Sequence, residues 1–166
     1  MISAKVICDS ISPSGVRLTT IELNYHRFVH SEMMTHRMFS RNASSSRAIP
    51  VERMIKQVAE NPAMPIHWGK NQAGMQAREE VSAIDKCKVS WETSALWAVV
   101  GAESLLDMGV HKQITNRLLE PFQWISVVVT ATEWDNFFKL RLHKDAQPEM
   151  MVLAEHMKKA MDESIP

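Results

Sequence analysis

The distribution of apolar residues predicts three strands in the chain. KVICD and RLTTIELNY each have the character of a short strand, and Pro13 and Gly15 between them favour a hairpin or a loop. QWISVVVTAT is rich in β-branched residues and gives the strongest strand pattern. Because helical patterns occupy most of the remainder, the sequence predicts an α+β fold with few strands.

Apolar residues spaced three or four positions apart predict helices elsewhere. The first helix is expected over about residues 27–39, where Val29 and Met33 lie four positions apart. Pro50 suits the first turn of a second helix, VERMIKQVAE, and the following HWGKNQAGM is a predicted loop. These assignments leave SRNASSSR as a connection between two helices.

A long helix is expected over about residues 76–108, with Gly109 as its C-terminal cap. VHKQITNRLL, DNFFKLRL and PEMMVLAEHMKKAM are further predicted helices, and Asp135 is the candidate N-cap of DNFFKLRL. A helix as long as the third usually packs against a partner, so we expect an oligomer. The chain shows no repeat and no linker, which predicts a single domain over residues 1–166.

Composition narrows the classes of function. The 166 residues suit one domain with a substantial core, and the net charge of +0 argues against nucleic acid as the main partner. Cys8 and Cys87 form no CxxC pair and no metal-ligand spacing, which suits a reducing cytoplasm and predicts no metal site. The N-terminus has no signal peptide, and no apolar run approaches the roughly 20 residues of a membrane span.

The segment THRMFSRNASSSRAIP, residues 35–50, concentrates hydrogen-bond donors. Ser44, Ser45, Ser46 and Arg47 would present hydroxyls, backbone N–H groups and a guanidinium to a phosphate. The alternative is an ordinary polar turn with solvated arginines, which would be the favoured interpretation for an isolated SSSR.

Further candidates lie on both sides of this segment. His36 and Glu32 are an i, i+4 pair on the first predicted helix, which by itself indicates only a surface contact. Asn136 and Arg141 follow the strongest strand, and Arg117 precedes it. Taken singly, each of these three residues has a structural alternative as a helix cap or a surface charge. The functional alternative is that Arg117 and Arg141 surround one anion together with the serine segment.

Three motifs in order resemble the flavin-dependent thymidylate synthases. HRMFSRNASSSR is similar to the family signature R-H-R-x-x-S-x-N-x-x-S-x-R, and NRLLEP and NFFKLR…AQPE are similar to the later family motifs. The resemblance spans roughly residues 17–160, and THRMFSRNASSSRAIPV looks like the branch found in bacteriophages and prophages. It implies the family's fold, with a small antiparallel or mixed sheet, and a cytoplasmic enzyme, in the host if phage-encoded.

The resemblance also implies an activity and its cofactors. Members convert dUMP to dTMP with methylenetetrahydrofolate as the one-carbon donor, reduced FAD as the hydride donor and NADPH as a co-substrate. They do so without a cysteine nucleophile, and the absence of a motif around Cys8 or Cys87 agrees with this. Members are homotetramers with shared active sites, so the same assembly is expected here.

Residue roles carry over from the matching positions. Ser45, Ser46 and Arg47 would hold the phosphate and sugar, and Arg117 of a neighbouring subunit would add a phosphate contact. Glu32 stands where the family often has a glutamine for the nucleotide. The catalytic candidates are Arg141, which would contact and polarise the uracil ring, and Ser45. The residues implied to bind the flavin are His36, Arg37, Met38, Asn136 and Thr132.

Several positions depart from the family pattern. Thr35 and Ala43 replace charged residues of the signature, Thr130 and Thr132 replace an asparagine and an arginine that touch flavin, and Asp145 replaces a histidine. An upstream flavin-binding segment has no counterpart, and the chain ends sooner than typical members. Three hypotheses follow: a flavin-dependent thymidylate synthase, a same-fold enzyme for another pyrimidine nucleotide, and a non-catalytic nucleotide-binding homologue.

Overall fold

The computed structural model describes residues 1–166 and has four strands and six α-helices. In chain order the elements are β1 Ser3–Ile11, β2 Arg17–His26, α1 His30–Met34, β3 Ser40–Ala43, α2 Val51–Glu60, α3 Ile84–Asp107, α4 Lys112–Thr115, β4 Trp124–Ala131, α5 Asp135–Arg141 and α6 Pro148–Asp162. Short 3-10 turns cover Arg27–Val29 and Glu120–Phe122. The predicted α+β fold is confirmed.

The four strands form one sheet in the order β1-β2-β4-β3. β1 pairs antiparallel with β2, as the predicted hairpin requires, and β3 pairs antiparallel with β4. The hydroxyls of Thr20 and Thr130 are 2.9 Å apart and link β2 to β4. The hydroxyl of Thr130 is therefore engaged within the sheet.

The chain divides into two compact units, which we call the sheet unit and the helical unit. The sheet unit comprises Met1–Tyr25, Val29–Ser44 and Ile125–Pro166, and the helical unit comprises His26–Phe28 and Ser45–Trp124. Each draws on separate parts of the sequence, so neither is a simple N-terminal or C-terminal half. The single-domain assignment stays a prediction.

The core of the sheet unit follows from the alternation of residues along β2. Ile21, Leu23 and Tyr25 are fully buried, while the intervening Glu22 is exposed. Helix α6 packs against β1 and contributes Met150, Leu153 and Met157 to the interior. Burial of each such apolar side chain contributes about 1.5–3 kcal/mol to the free energy of unfolding.

The core of the helical unit lies between α2 and α3. The buried residues of this cluster are Met54, Val58, Ala95, Val99, Ala102 and Leu119. Gly109 follows α3 with a φ of +75°, a left-handed conformation that suits its predicted role at the C-terminus of the helix. No helix in the chain is long and apolar enough to cross a bilayer.

The helix predicted over residues 27–39 is shorter than expected, and the connection after it contains a strand. Helix α1 ends at Met34, and β3 begins at Ser40. The guanidinium of Arg41 donates hydrogen bonds to the carbonyls of Met33, Met34 and His36, which holds the chain in a turn after the helix. SRNASSSR thus lies between two helices, as predicted, but its first four residues form a strand that the sequence did not predict.

Two other predicted helices are also shorter. Helix α3 begins at Ile84, because residues 77–81 pair with residues 67–70 through hydrogen bonds such as Lys70 N–H to the Glu79 carbonyl. The predicted helix VHKQITNRLL is helical only over Lys112–Thr115.

The N-terminus of α5 also differs from the sequence prediction. Trp134, rather than Asp135, is the N-cap, and no side-chain hydrogen bond caps this helix. Asp135 is instead the first helical residue.

Candidate active site

A cavity of about 500 Å³ in the sheet unit collects most of the predicted flavin-binding residues. One wall is the turn of residues 35–39 after α1, which includes His36, Arg37 and Met38. The other wall is α5, which contributes Asn136 and Arg141. We call this space the motif cavity, because the first and last sequence motifs meet around it.

A hydrogen bond joins the two walls of the motif cavity. Nε of Arg141 donates to Nε2 of His36 over 2.9 Å, and Nη2 of Arg141 lies 3.4 Å from the hydroxyl of Thr35. Thr35, which replaces a cation of the family signature, therefore acts here as a neutral partner of an arginine. Arg141 is held in place by side chains, with further guanidinium donors left for a ligand.

The electrostatic surroundings keep His36 neutral. Burial is the main cause and the positive charges of Arg141 and Arg41 add to it, and together they lower the pKa of His36 from 6.5 to about 4. The neutral ring offers Nε2 as an acceptor, which is what the Arg141 hydrogen bond needs. The site thus pairs a permanent cation with an uncharged imidazole.

Aromatic side chains form the base beneath His36. Its ring packs edge-on against Phe137 with centroids 4.8 Å apart, and Phe39 packs between Phe137 and Trp134. At the cavity surface Met38 is 62% exposed and Leu140 is 51% exposed. Exposed apolar side chains beside a cavity suit a flat, largely apolar ring as ligand.

The cavity also offers polar groups that the chain does not use. The side chains of Arg37 and Asn136 are exposed and make no hydrogen bond within the protein. An amide and a guanidinium beside an apolar surface match the edge of a flavin ring and its anionic tail. The residues present therefore fit a flavin.

Two predicted residues of the sheet unit, Glu32 and Thr132, do not line the motif cavity. Thr132 lines a separate cavity of about 230 Å³ together with Arg17 and Lys158. Glu32 does not line the motif cavity, and its carboxylate accepts a 2.8 Å hydrogen bond from the hydroxyl of Ser31.

The predicted phosphate-binding residues lie in the helical unit. Residues 45–48, which we call the serine turn, are closed by a hydrogen bond from Ala48 N–H to the Ser45 carbonyl. Ser45 and Arg47 are exposed, and the Arg47 side chain makes no hydrogen bond within the protein. Ser46 is buried at 5% exposure. The turn therefore presents one hydroxyl and one guanidinium to solvent.

Glu120 connects the serine turn to Arg117. Its Oε1 accepts hydrogen bonds from the Ser46 hydroxyl at 3.0 Å, from Arg117 Nη1 at 2.9 Å and from Arg27 Nη2 at 2.8 Å. Arg27 and Glu120 had no role in the sequence prediction. Glu120 lies inside the NRLLEP motif, but nothing in that motif pointed to a role distinct from that of the arginine.

Asn116 is a second residue that the sequence reasoning missed. Its fully buried side-chain amide donates to the carbonyls of Ser46 at 2.6 Å and of Ile49 at 3.0 Å. Since Asn116 directly precedes Arg117, one residue fixes the serine turn and its neighbour carries the predicted phosphate contact. The only indication in the sequence of a role for Asn116 was its place in the NRLLEP motif, directly before Arg117.

Solved structures with this α+β architecture include enzymes of pyrimidine nucleotides. A UMP/dUMP methylase PolB from Streptomyces cacaoi bound with 5-Br UMP superposes with a TM-score of 0.76 and 18% identity, covering 97% of this chain and 88% of that chain. The same methylase bound with 5-Br dUMP gives 0.76 and 17%, covering 97% and 90%. Thymidylate Synthase X (ThyX) from Helicobacter pylori with FAD and dUMP gives 0.67 and 13%, covering 100% and 94%.

Because these structures share less than 20% sequence identity with the chain, their similarity establishes the fold alone. The family is established by a comparison of the sequence with protein families. The family model for thymidylate synthase complementing protein matches residues 16–166. The chain therefore belongs to the thymidylate synthase complementing protein family, which confirms the resemblance of the three motifs. No curated protein sequence matches the chain.

Proposed function

We propose that this protein is a flavin-dependent thymidylate synthase, which methylates C5 of the uracil ring of dUMP. The observation that carries the proposal is the meeting of His36, Arg37, Met38, Asn136 and Arg141 around the motif cavity. These residues come from two motifs about a hundred positions apart, and the fold brings them to one space of ring-binding size. The family membership supports the same reaction class.

The reaction that we propose balances without a protein nucleophile. One dUMP, one methylenetetrahydrofolate, one NADPH and one proton give dTMP, tetrahydrofolate and NADP⁺. A bound FAD would supply the hydride chemistry, with NADPH as the source of the hydride and the one-carbon unit as its acceptor. His36, Arg37, Met38 and Asn136 are the side chains that would hold it, since they line the cavity and two of them have unused polar groups.

Arg141 is the residue that we assign to the uracil ring. Its guanidinium is permanently charged, and the hydrogen bond to His36 fixes its direction. A fixed cation beside the pyrimidine stabilises the negative charge of the enolate-like form of the ring, in which C5 is the nucleophile that attacks the one-carbon unit. No reorganisation of the arginine is needed at that moment, which is where preorganised sites gain most of their effect.

We assign the nucleotide phosphate to the serine turn and to Arg117. The exposed Ser45 hydroxyl and the unpaired Arg47 guanidinium supply a neutral and a charged donor. Arg117 is half exposed, so its remaining donors are open to a ligand. Ser45 would contact the nucleotide directly, whereas the buried Ser46 holds the turn to Glu120.

A second candidate is a methylase that also accepts UMP. One of the structural relatives, seen in two structures, is described as a UMP/dUMP methylase, and its TM-score of 0.76 exceeds the 0.67 of the thymidylate synthase. Discrimination between dUMP and UMP rests on the 2′-hydroxyl. Product formation from each nucleotide, assayed side by side, separates the two candidates.

We also propose that the enzyme works as a homotetramer in which active sites are shared. The support from this chain is an apolar stripe on α3, formed by Val89, Leu96, Trp97 and Val100, which lie on one helix face and are each more than half exposed. Such a face is typical of a protein interface.

The proposed function is tested by cofactor uptake and nucleotide-dependent stability. After incubation with FAD and removal of the excess, the protein is expected to keep the absorbance of bound flavin. Added dUMP is expected to raise the melting temperature, while deoxyuridine, which lacks the phosphate, raises it less. A protein that retains no FAD but still responds to dUMP would instead fit a non-catalytic nucleotide-binding homologue.

A further inference from the structure

Three donors converge on one oxygen atom in the helical unit. Oε1 of Glu120 accepts from Arg27, Arg117 and Ser46 at distances of 2.8 to 3.0 Å. Two guanidinium groups and a hydroxyl around a single anionic oxygen are the donor set that a phosphate oxygen takes in proteins. The carboxylate of Glu120 thus stands in the place of a phosphate oxygen.

The two arginines hold this carboxylate with different strength. The Arg27 side chain is 19% exposed, and the Arg117 side chain is 55% exposed. An ion pair that water reaches is weak and easily exchanged, whereas the less exposed pair is more persistent. The remaining donors of Arg117 make no hydrogen bond within the chain. Arg117 is therefore the partner that can leave Glu120.

The charges around Glu120 favour an exchange of this kind. Arg27 and Arg117 carry two positive charges against one negative charge on Glu120. A phosphate monoester carries about −1.5 to −2 at pH 7 and offers three acceptor oxygens. It therefore attracts Arg117 more strongly than a single carboxylate does, while a ligand with one negative charge gains little from the exchange.

We propose that Glu120 is an internal counter-ion, which holds Arg117 in the absence of nucleotide and yields it to the phosphate of an incoming nucleotide. This rests on the proposed function, because it assumes that Arg117 binds the nucleotide phosphate. Glu120 stays on Arg27 and on the Ser46 hydroxyl, so the serine turn keeps its position during the exchange. The carboxylate lowers affinity for anions in general and selects the dianionic phosphate monoester.

The variant Glu120→Gln tests the exchange. Glutamine keeps the acceptor oxygen for Ser46 and Arg27 but removes the charge that competes with phosphate. We expect the Kd for dUMP to fall about two- to fivefold, the range that one exposed ion pair is worth. The Kd for deoxyuridine is expected to stay unchanged. A residue with a merely structural role would give weaker binding on substitution, so the direction of the change is diagnostic.

Glu52→Gln is the matched control. Glu52 is exposed in the first turn of α2 and forms no ion pair, and its substitution changes the net charge by the same amount as Glu120→Gln. Its dUMP affinity is expected to equal that of the wild type. An unchanged or weaker dUMP affinity in Glu120→Gln overturns the proposal, and so does an equal gain in Glu52→Gln.

A crystal structure of the wild-type protein with dUMP decides the question without a variant. The proposal expects Arg117 on the phosphate and more than 4.0 Å from Glu120. An intact Arg117–Glu120 pair beside a bound phosphate overturns the inference and leaves the proposed function standing. Equal affinity of the wild type for dUMP and deoxyuridine overturns the phosphate assignment itself, and with it this inference.

Discussion

Arg141 and His36, 105 residues apart in the sequence, are joined by a 2.9 Å hydrogen bond from the arginine Nε to the histidine Nε2. The arginine always carries its proton, so the imidazole nitrogen must be the acceptor. The neutral tautomer with the proton on Nδ1 is therefore the one that the site requires. Protonation of Nε2 would place two donors against each other and a positive ring beside the charges of Arg141 and Arg41.

Because of His36, the free energy of unfolding is expected to decrease as the pH decreases. Its pKa is lowered from 6.5 to about 4 in the folded state, so between these values the unfolded chain binds the proton and the folded protein does not. Stability is then present above about pH 6.5 and is lost as the pH falls toward about 4. We expect a loss of about 1–3 kcal/mol in the free energy of unfolding, measured by urea titration at pH 7 and pH 4.5.

The variant His36→Gln provides the control for this pH dependence. A glutamine oxygen can accept from Arg141 but does not titrate, so the curve of stability against pH should be flatter than in the wild type. If both proteins lose the same free energy between pH 7 and pH 4.5, His36 is not the group responsible.

Arg47→Ala is expected to weaken dUMP binding by about 1.5–3 kcal/mol, the scale of a hydrogen bond to a charged group. The fold should be unaffected, because the Arg47 side chain is exposed and makes no hydrogen bond within the protein. Titration calorimetry measures the change, and Arg53→Ala, another exposed arginine on the next helix, should bind normally. Wild-type affinity in Arg47→Ala would remove the serine turn from the phosphate site.

Asn116→Ala is expected to lower the free energy of unfolding by about 1–3 kcal/mol, because two backbone carbonyls lose their buried partner. The serine turn should also loosen. Hydrogen exchange at the Ala48 N–H, which bonds to the Ser45 carbonyl, is expected to accelerate. Asn71→Ala, in an exposed loop, is the control and should change neither quantity. Unchanged exchange at Ala48 would show that Asn116 does not hold the turn.

Trp97→Glu is expected to reduce the oligomer. Trp97 is 71% exposed in the apolar stripe of α3, and a charge there would be buried without a partner in any interface formed by the stripe. Light scattering should give a mass near four times the 18.9 kDa of one chain for the wild type and a smaller mass for the variant. Met75→Glu, at a residue 97% exposed in a loop, should retain the wild-type mass.

The sequence predicted β1, β2 and β4 close to their observed positions but missed β3, because the first three depend on local patterns of apolar and β-branched residues. Helix α2 and strand β4 follow from apolar spacing and β-branched composition, and both lie close to the predicted residues. The predicted C-terminal end of α1 and the predicted N-terminal end of α3 were wrong, because hydrogen bonds to other parts of the chain set both ends. Arg41 closes the chain after α1, and residues 77–81 pair with residues 67–70 instead of extending α3.

The polar framework around the candidate phosphate site could not be predicted from local patterns. Asn116 and Glu120 act through bonds to Ser46, which lies more than 65 residues away in the chain. No spacing rule connects such positions in one sequence. Likewise, the position of Thr132 in a separate cavity depends on how β4 ends and α5 begins, rather than on its own residue type.

Formation of dTMP is the measurement that tests the central claim most directly. The protein, reconstituted with FAD, is incubated with dUMP, methylenetetrahydrofolate and NADPH under anaerobic conditions, and the nucleotides are separated and quantified. We predict dTMP in amounts exceeding the enzyme, formed only when all three small molecules are present, and none from Arg141→Ala. The absence of dTMP from folded protein that carries FAD and binds dUMP would contradict the account.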